Sequence, residues 1–365
     1  MKPPQLPPFR ADQVGSLLRP KELADARARF KKDQLTAAEL KAIEDRCIRE
    51  AVARQEACGL LSITDGEFRR DWWHLDFMAR LDGVTTVANP GPKFGGTEEQ
   101  PPIPSVTGKV GCSKPIMVQD FVFLKQHTSK TAKFTIPSPA MLHLRGGRSS
   151  ISRLVYPDLA EFWADAAGAY RKAIRYLADA GCTYLQLDDV SFSYLCDPRI
   201  QATSRSNGDD PAKLPRTYAD AINAALKDRP QGMTVTMHTC RGNFKSSWVA
   251  SGGYEPVAEA MFSTAVDAFF MEFDSERAGG FEPLRYLPGG KMVVLGLVTS
   301  KSPVLESKDF LKQRIEEAAK YVPLDSLCLS PQCGFSSTHH GNALSADEQW
   351  RKLERVAEVA REVWG

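Results

Sequence analysis

Met233-Thr234-Val235-Thr236-Met237-His238-Thr239-Cys240-Arg241-Gly242-Asn243 is an apolar, β-branched run that closes in polar residues and a glycine-containing loop. Side chains alternate along an extended chain, so His238 and Cys240 point to the same side where strand gives way to loop. The same layout recurs along the sequence. Residues 9–18 reach Ser16, 60–67 end in Asp65 and Glu67, and 183–189 end in Asp188 and Asp189. Residues 134–139 form a further strand, 268–274 carry Glu272 and Asp274, 292–298 precede Ser300 and Lys301, and 327–331 lead to Cys333.

Helical patterns separate these strands. Residues 21–58 read as two helices broken near 33–36, where Thr36 and Glu39 make a capping box. Others span 158–180, 217–226, 255–264, 308–321 and 346–363, and 199–215 read as a long polar loop. Eight strands alternating with helices predict an α/β fold, a TIM (β/α)8 barrel with an N-terminal helical extension, one domain over 1–365. The Gly- and Pro-rich stretch at about 81–115 is expected as an inserted hairpin. A doubly wound open sheet is the competing architecture, but no GxGxxG turn follows any strand.

Barrel strands converge at their C-terminal ends, and catalytic groups gather there. Taken singly, an Asp or Ser at a strand end is more often a cap or turn former, and a lone His a satisfied core residue. The His-x-Cys pair with Cys333 on a later strand changes that balance. His238, Cys240 and Cys333 are expected to bind zinc (Zn2+), with Glu272 as fourth ligand or Asp274, on the same face, in its stead. Two thiolates suit activation of a substrate thiol for alkyl transfer. Hydrolysis by metal-activated water is the other use, though such sites are more often built from His and carboxylate.

The 365 residues are 42% hydrophobic and 25% charged, as in a soluble globular protein. No apolar run approaches the ~20 residues of a membrane span, and the Pro-rich start is unlike a signal sequence, so a cytoplasmic location is expected. A net charge of +2 with scattered Lys and Arg offers no argument for nucleic acid. The eight cysteines are far apart without a CxxC pair, which predicts buried thiols and no disulfide framework.

Val14-Gly15-Ser16, Asp65-Gly66-Glu67-Phe68, Gln186-Leu187-Asp188, His238-Thr239-Cys240, Glu272 in Met-Glu-Phe-Asp and Pro331-Gln332-Cys333-Gly334 together resemble the cobalamin-independent methionine synthase family, specifically its C-terminal catalytic barrel. The resemblance runs along nearly the whole chain. It implies zinc on His238, Cys240, Glu272 and Cys333, and homocysteine held by Ser16, Glu67 and Asp188. The acids would pair with the ammonium, and Ser16 with nearby backbone N–H groups would receive the carboxylate. It also implies transfer of a methyl group to the thiol, forming methionine.

The departures concern the donor. The full-length enzymes carry a further N-terminal barrel that helps bind folate, and this chain has no room for one. Lys301 stands before Ser302-Pro303 where the family has a His, so Lys301 is the candidate proton donor to the leaving group, with a different pKa. The third-strand loop, residues 139–145, lacks the Trp expected as a pterin platform. An accessory methyl-donor protein is one route by which the methyl group would arrive.

Epoxyalkane:coenzyme M transferase shares the thiolate-zinc logic and is the alternative, with Arg19, Arg69, Arg70 and Arg241 as candidates to receive a sulfonate. The acidic pair Glu67 and Asp188 favours an amino-acid thiol. A non-enzymatic methyl-carrier partner would need no strand-end acids around a closed zinc site. A uroporphyrinogen-decarboxylase-like activity, suggested by fold alone, leaves the His-x-Cys pair without a role.

Overall fold

The computed structural model describes residues 6–89 and 101–365. Its strands are β1 (Ser62–Ile63), β2 (Asp82–Val87), β3 (Ile103–Gly111), β4 (Thr131–Pro137), β5 (Tyr184–Asp189), β6 (Thr234–Thr239), β7 (Ala268–Glu272), β8 (Met292–Val298) and β9 (Leu327–Pro331). Seven form one sheet in the order β1-β4-β5-β6-β7-β8-β9, all neighbours parallel. From β4 to β9 nearly every residue is buried, as parallel strands covered by helices must be.

The curled sheet closes through the first strand segment. Asp12 N–H donates to the Leu329 carbonyl at 3.0 Å, and Leu329 N–H donates to Arg10 at 2.9 Å. On the β1 side closure is by side chains: Ser62 Oγ donates to Asp12 Oδ1 at 2.7 Å and Gln13 Nε2 to the Ser62 carbonyl at 3.3 Å. The first strand expected at 9–18 is thus a short bridge and not a full ladder. Asp12, buried in the closing seam, is held by the side chains of Ser62, Tyr184 and Lys133.

Alternation along the strands separates two environments. In β8, Val293 and Leu295 join the main core against the helices, whereas Met292 and Val294 meet Val14, Phe270 and Cys328 on the other face. The residues of that second phase become polar toward the strand ends: Thr135, Gln186 and Asp188, Thr236 and His238, Glu272. The β5–β6 register sets Asp188 beside His238.

The outer helices follow from capping and stripe. Leu159–Asp179 starts on Asp158, which accepts from Ala160 N–H, and buries Phe162, Ala166, Tyr170, Ala173 and Leu177 on one face. Thr36 with Glu39 and Ser345 with Glu348 form capping boxes for Ala37–Ala57 and Ala346–Trp364. The inserted hairpin is present as antiparallel β2–β3; residues 90–100 of the expected excursion lie outside the described residues.

Two helical expectations need correction, and one helix was not expected. Residues 199–215 are not a loop throughout: Pro198–Ser206 is a helix capped by Asp197, and the next helix begins at Leu214. The helix expected over 255–264 is one 3-10 turn, Glu255–Val257, followed by the short Ala258–Phe262. A helix at Val118–His127 has no counterpart in the sequence reading. Its N-cap, Met117, is left-handed at φ 56° and offers no capping side chain, so the usual start signal is missing.

Candidate metal centre and its pocket

His238 and Cys240 leave β6 on the same face, and Cys333 comes from the turn two residues beyond β9. One ligand atom from each of the three lies within 4.8 Å of the others, and all three residues are buried. The two sulfurs are 3.7 Å apart. Their contact couples the two: the hydrogen bond between them and the neighbouring His238 hold the Cys333 thiol well below its ordinary value, while that same bond and burial push Cys240 up. Burial works against a charged His238, yet Asp188 and Cys333 raise it to about 10.

His238 Nδ1 is 3.2 Å from Asp188 Oδ1. A carboxylate on one ring nitrogen orients a histidine so that the other can face a metal. A buried Cys2His donor set with a carboxylate behind the imidazole fits zinc with a position left open.

Glu272 stands apart from the three. One oxygen accepts from Arg241 N–H at 2.7 Å, and the other is paired with Arg277. Asp274 meets the same Arg277 at 3.3 Å. Lys301 contributes a buried Nζ with no hydrogen-bond partner among the described residues. It does not line the pocket beside the sulfurs, but its charge acts on Glu272, Cys240 and Cys333.

The pocket itself brings Ser16, Glu67, Asp188, His238, Cys240 and Cys333 onto one lining. Ser16 Oγ accepts from Ser336 N–H at 3.4 Å, and a Cβ on Gly334 would come within 1.9 Å of that oxygen. Only glycine lets the β9 loop approach so closely. Glu67 accepts from Thr135 Oγ1 at 2.9 Å and lies 3.8 Å from Arg70. Burial raises its pKa to about 7, with Asp188 and Asp65 adding and Arg70 opposing. Asp188 receives Gln186 Nε2 at 2.7 Å on the oxygen that faces His238.

The arginines expected to receive a sulfonate are otherwise engaged. Arg19 binds the carbonyls of Glu67 and Arg70 at 3.0 and 2.7 Å, Arg69 pairs with Glu44 at 3.0 Å, Arg70 holds the Thr135 carbonyl at 2.8 Å, and Arg241 binds Gly252 and Tyr254. None of the four lines the pocket. Their role is to fasten strand-end loops to one another and to neighbouring elements: Arg69 to helices Ala37–Ala57 and Val118–His127, Arg70 to β4.

Sequence reasoning missed Trp72, Trp73, His74, Arg145, Tyr194 and Asn243 in the lining. Asn243 lay within the stretch first quoted, and the Trp72-Trp73-His74 run sits five residues past Glu67, so position relative to a strand end was the available signal. The indoles come from the loop after β1 instead of the third-strand loop.

With this geometry in hand, known proteins sharpen it. The family described as the cobalamin-independent synthase catalytic domain matches residues 9–361. The chain belongs to that family. Two Bacillus subtilis relatives, the uncharacterized proteins YxjH and YxjG, are 45% and 46% identical over 361 and 363 residues, in each case 98% of this chain and 95% of theirs. The 5-methyltetrahydropteroyltriglutamate–homocysteine methyltransferase of Thermotoga maritima is 22% identical over 98% of this chain, which spans 45% of that enzyme's length.

A Listeria monocytogenes structure provisionally described as a vitamin-B12-independent methionine synthase aligns with TM-score 0.80 and 41% identity, covering 99% of this chain and 100% of its own. A B12-independent methionine synthase from Shewanella sp. W3-18-1, in complex with selenomethionine, shares the fold at TM-score 0.72 and 19% identity, covering 97% of each chain. The chain is therefore a methionine-synthase-like catalytic domain with the family's TIM barrel, of a family that supports methyltransferase activity. Among the described residues no helix is long and apolar enough to cross a membrane.

Proposed function

We propose that this chain is a zinc-dependent thiol methyltransferase that methylates homocysteine or a related thiol, with methionine the product from homocysteine. The observation that carries the reading is the buried His238, Cys240 and Cys333 cluster opening into the pocket that also holds Ser16, Glu67 and Asp188. A zinc ion held there supplies the Lewis acidity that keeps an incoming thiol deprotonated and nucleophilic at neutral pH. Glu272 would be an exchangeable fourth ligand, reaching the site only on leaving Arg277 and yielding the position to the thiol.

The chain's own residues bind and orient the amino acid. Ionised Glu67 and the Oδ2 of Asp188 receive the ammonium, and Ser16 with adjacent backbone N–H groups receives the carboxylate. The Shewanella structure's selenomethionine, a methionine analogue, supports an amino-acid ligand of this size. Lys301, whose charge acts on Glu272, Cys240 and Cys333, would supply a proton or positive charge to the leaving group. A small-molecule methyl donor, or an accessory protein presenting one, completes the reaction.

Metal analysis tests the reading. About one zinc per chain is expected, lost in Cys240→Ser and Cys333→Ser together with thiol methylation; a metal-free protein that methylates homocysteine at full rate would overturn it.

A further inference from the structure

Gln186 stands two residues before Asp188 on the same face of β5, and its side chain is fully buried. Its Nε2 donates two bonds of 2.7 Å, one to the Val14 carbonyl and one to Asp188 Oδ1. Val14 belongs to the first strand segment, which closes on β9 and β1, so β1 and β4 lie between it and β5 around the sheet. The amide therefore reaches across the barrel interior and not along a ladder. From Val14 the chain runs on to Ser16, and from Gln186 to Asp188. One side chain thus fastens together the two strand ends whose groups receive an amino acid's carboxylate and ammonium.

The chemistry of the partners suits an amide. Val14 offers a carbonyl and Asp188 a carboxylate, both acceptors, and a neutral side chain with two N–H groups on one atom serves them together. Asp188 Oδ1 also faces His238 Nδ1 at 3.2 Å. Two donors on Oδ1 set the rotation of the carboxyl group, which leaves Oδ2 for the pocket that Asp188 lines. The same Oδ1 holds the imidazole by Nδ1, the arrangement that turns the other ring nitrogen toward a metal. Asp188 serves the amino acid with one oxygen and the metal ligand with the other, and Gln186 governs both.

We propose that Gln186 is a positioning residue: by tying Asp188 Oδ1 to the Val14 carbonyl it aims Oδ2 at the substrate's α-ammonium and holds His238 in the orientation that binds zinc. It thereby makes the site discriminate an α-amino acid from the same acid without its ammonium. This rests on the zinc thiol methyltransferase reading, in which Ser16 and Asp188 serve the two polar ends of the amino acid. Gln186 itself does not line the pocket and acts through Asp188.

The probes are methionine and 4-(methylthio)butanoate, which is methionine without its ammonium, with binding to the zinc-saturated full chain followed by calorimetry. The wild type is expected to prefer methionine. In Gln186→Met that preference should shrink by about tenfold, through weaker binding of methionine with little change for the butanoate. Zinc affinity, read by competition with a chromophoric chelator, should fall by about tenfold as well, and the absorption of the cobalt-substituted protein should shift. Equal loss for the two ligands is what a merely structural residue would produce and overturns the proposal, as does a preference retained in full. Unchanged zinc affinity overturns the link to His238. Should Gln186→Met fail to fold, Gln186→Asn, which keeps the amide but is one methylene too short to reach both acceptors, decides by the same readings. A wild type without preference for methionine would sink the amino-acid reading itself, whereas a wild-type preference that the variants keep sinks the role of Gln186 alone.

Discussion

Glu67 adopts a left-handed backbone conformation, φ 59°, next to Gly66 at φ 66°. A non-glycine residue held there stores strain of order 1–3 kcal/mol, which the surrounding contacts must offset. Those contacts are Thr135 and Arg70, and they leave a buried carboxyl whose pKa is raised to about 7. The sign for binding follows. Below that value Glu67 is protonated and offers an ammonium ion no charge, so affinity for an amino acid falls as pH drops from 8 to 6, by at most about tenfold per unit. Methionine is the ligand of choice for calorimetry, since it has no titrating thiol. Glu67→Gln should bind weakly with no such slope; a wild-type affinity independent of pH would rule out Glu67 as the ammonium partner. Glu67, Ser16 and Asp188 were legible as polar strand ends. Arg70 and Thr135, which set the carboxyl's behaviour, were not, because their approach depends on β4 packing beside β1.

Helix Pro198–Ser206 illustrates what local signals can and cannot convey. Asp197 accepts from Arg199 N–H at 2.9 Å and from Ser251 N–H at 3.0 Å, and Pro198 opens the helix. The Asp-Pro start is a recognised helix signal, yet the polar residues that follow bury little and conceal the periodicity; among them only Ser204 is buried. The helix therefore depends on its cap more than on a core stripe. Asp197→Ala is expected to lower stability by about 1–2 kcal/mol and to speed amide exchange across 198–206, whereas Asp197→Asn retains most of the protection. Unchanged exchange in the alanine variant would show that packing alone holds the element. The capping boxes at Thr36 and Ser345 begin helices with buried stripes, and there pattern and cap agreed.

Across the whole molecule, closure of the sheet depends on a buried pair. Lys133 Nζ lies 3.2 Å from Asp12 Oδ1 and 3.9 Å from the Phe270 ring centroid, and Tyr184 donates to Asp12 Oδ2 at 2.8 Å. Removing the cation leaves a carboxylate buried without its partner, so Lys133→Met should cost about 3–5 kcal/mol in urea denaturation. The double variant Lys133→Met with Asp12→Asn should recover part of that loss; a double-variant loss equal to the sum of the two single losses would mean that the pair is not coupled. Nothing in the local pattern singled out Lys133. By itself the sequence determined the alternation of strands and helices, the barrel they build, and the polar strand ends that carry His238, Cys240, Cys333, Ser16, Glu67 and Asp188, because periodicity and strand direction are local properties. Only the tertiary structure decided that Glu272 turns to Arg277, that the four arginines are engaged away from the pocket, and that Arg145, His74 and Tyr194 meet on one wall. Those outcomes depend on contacts between distant loops, whose geometry follows from how the strands curl and close and not from spacing along the chain.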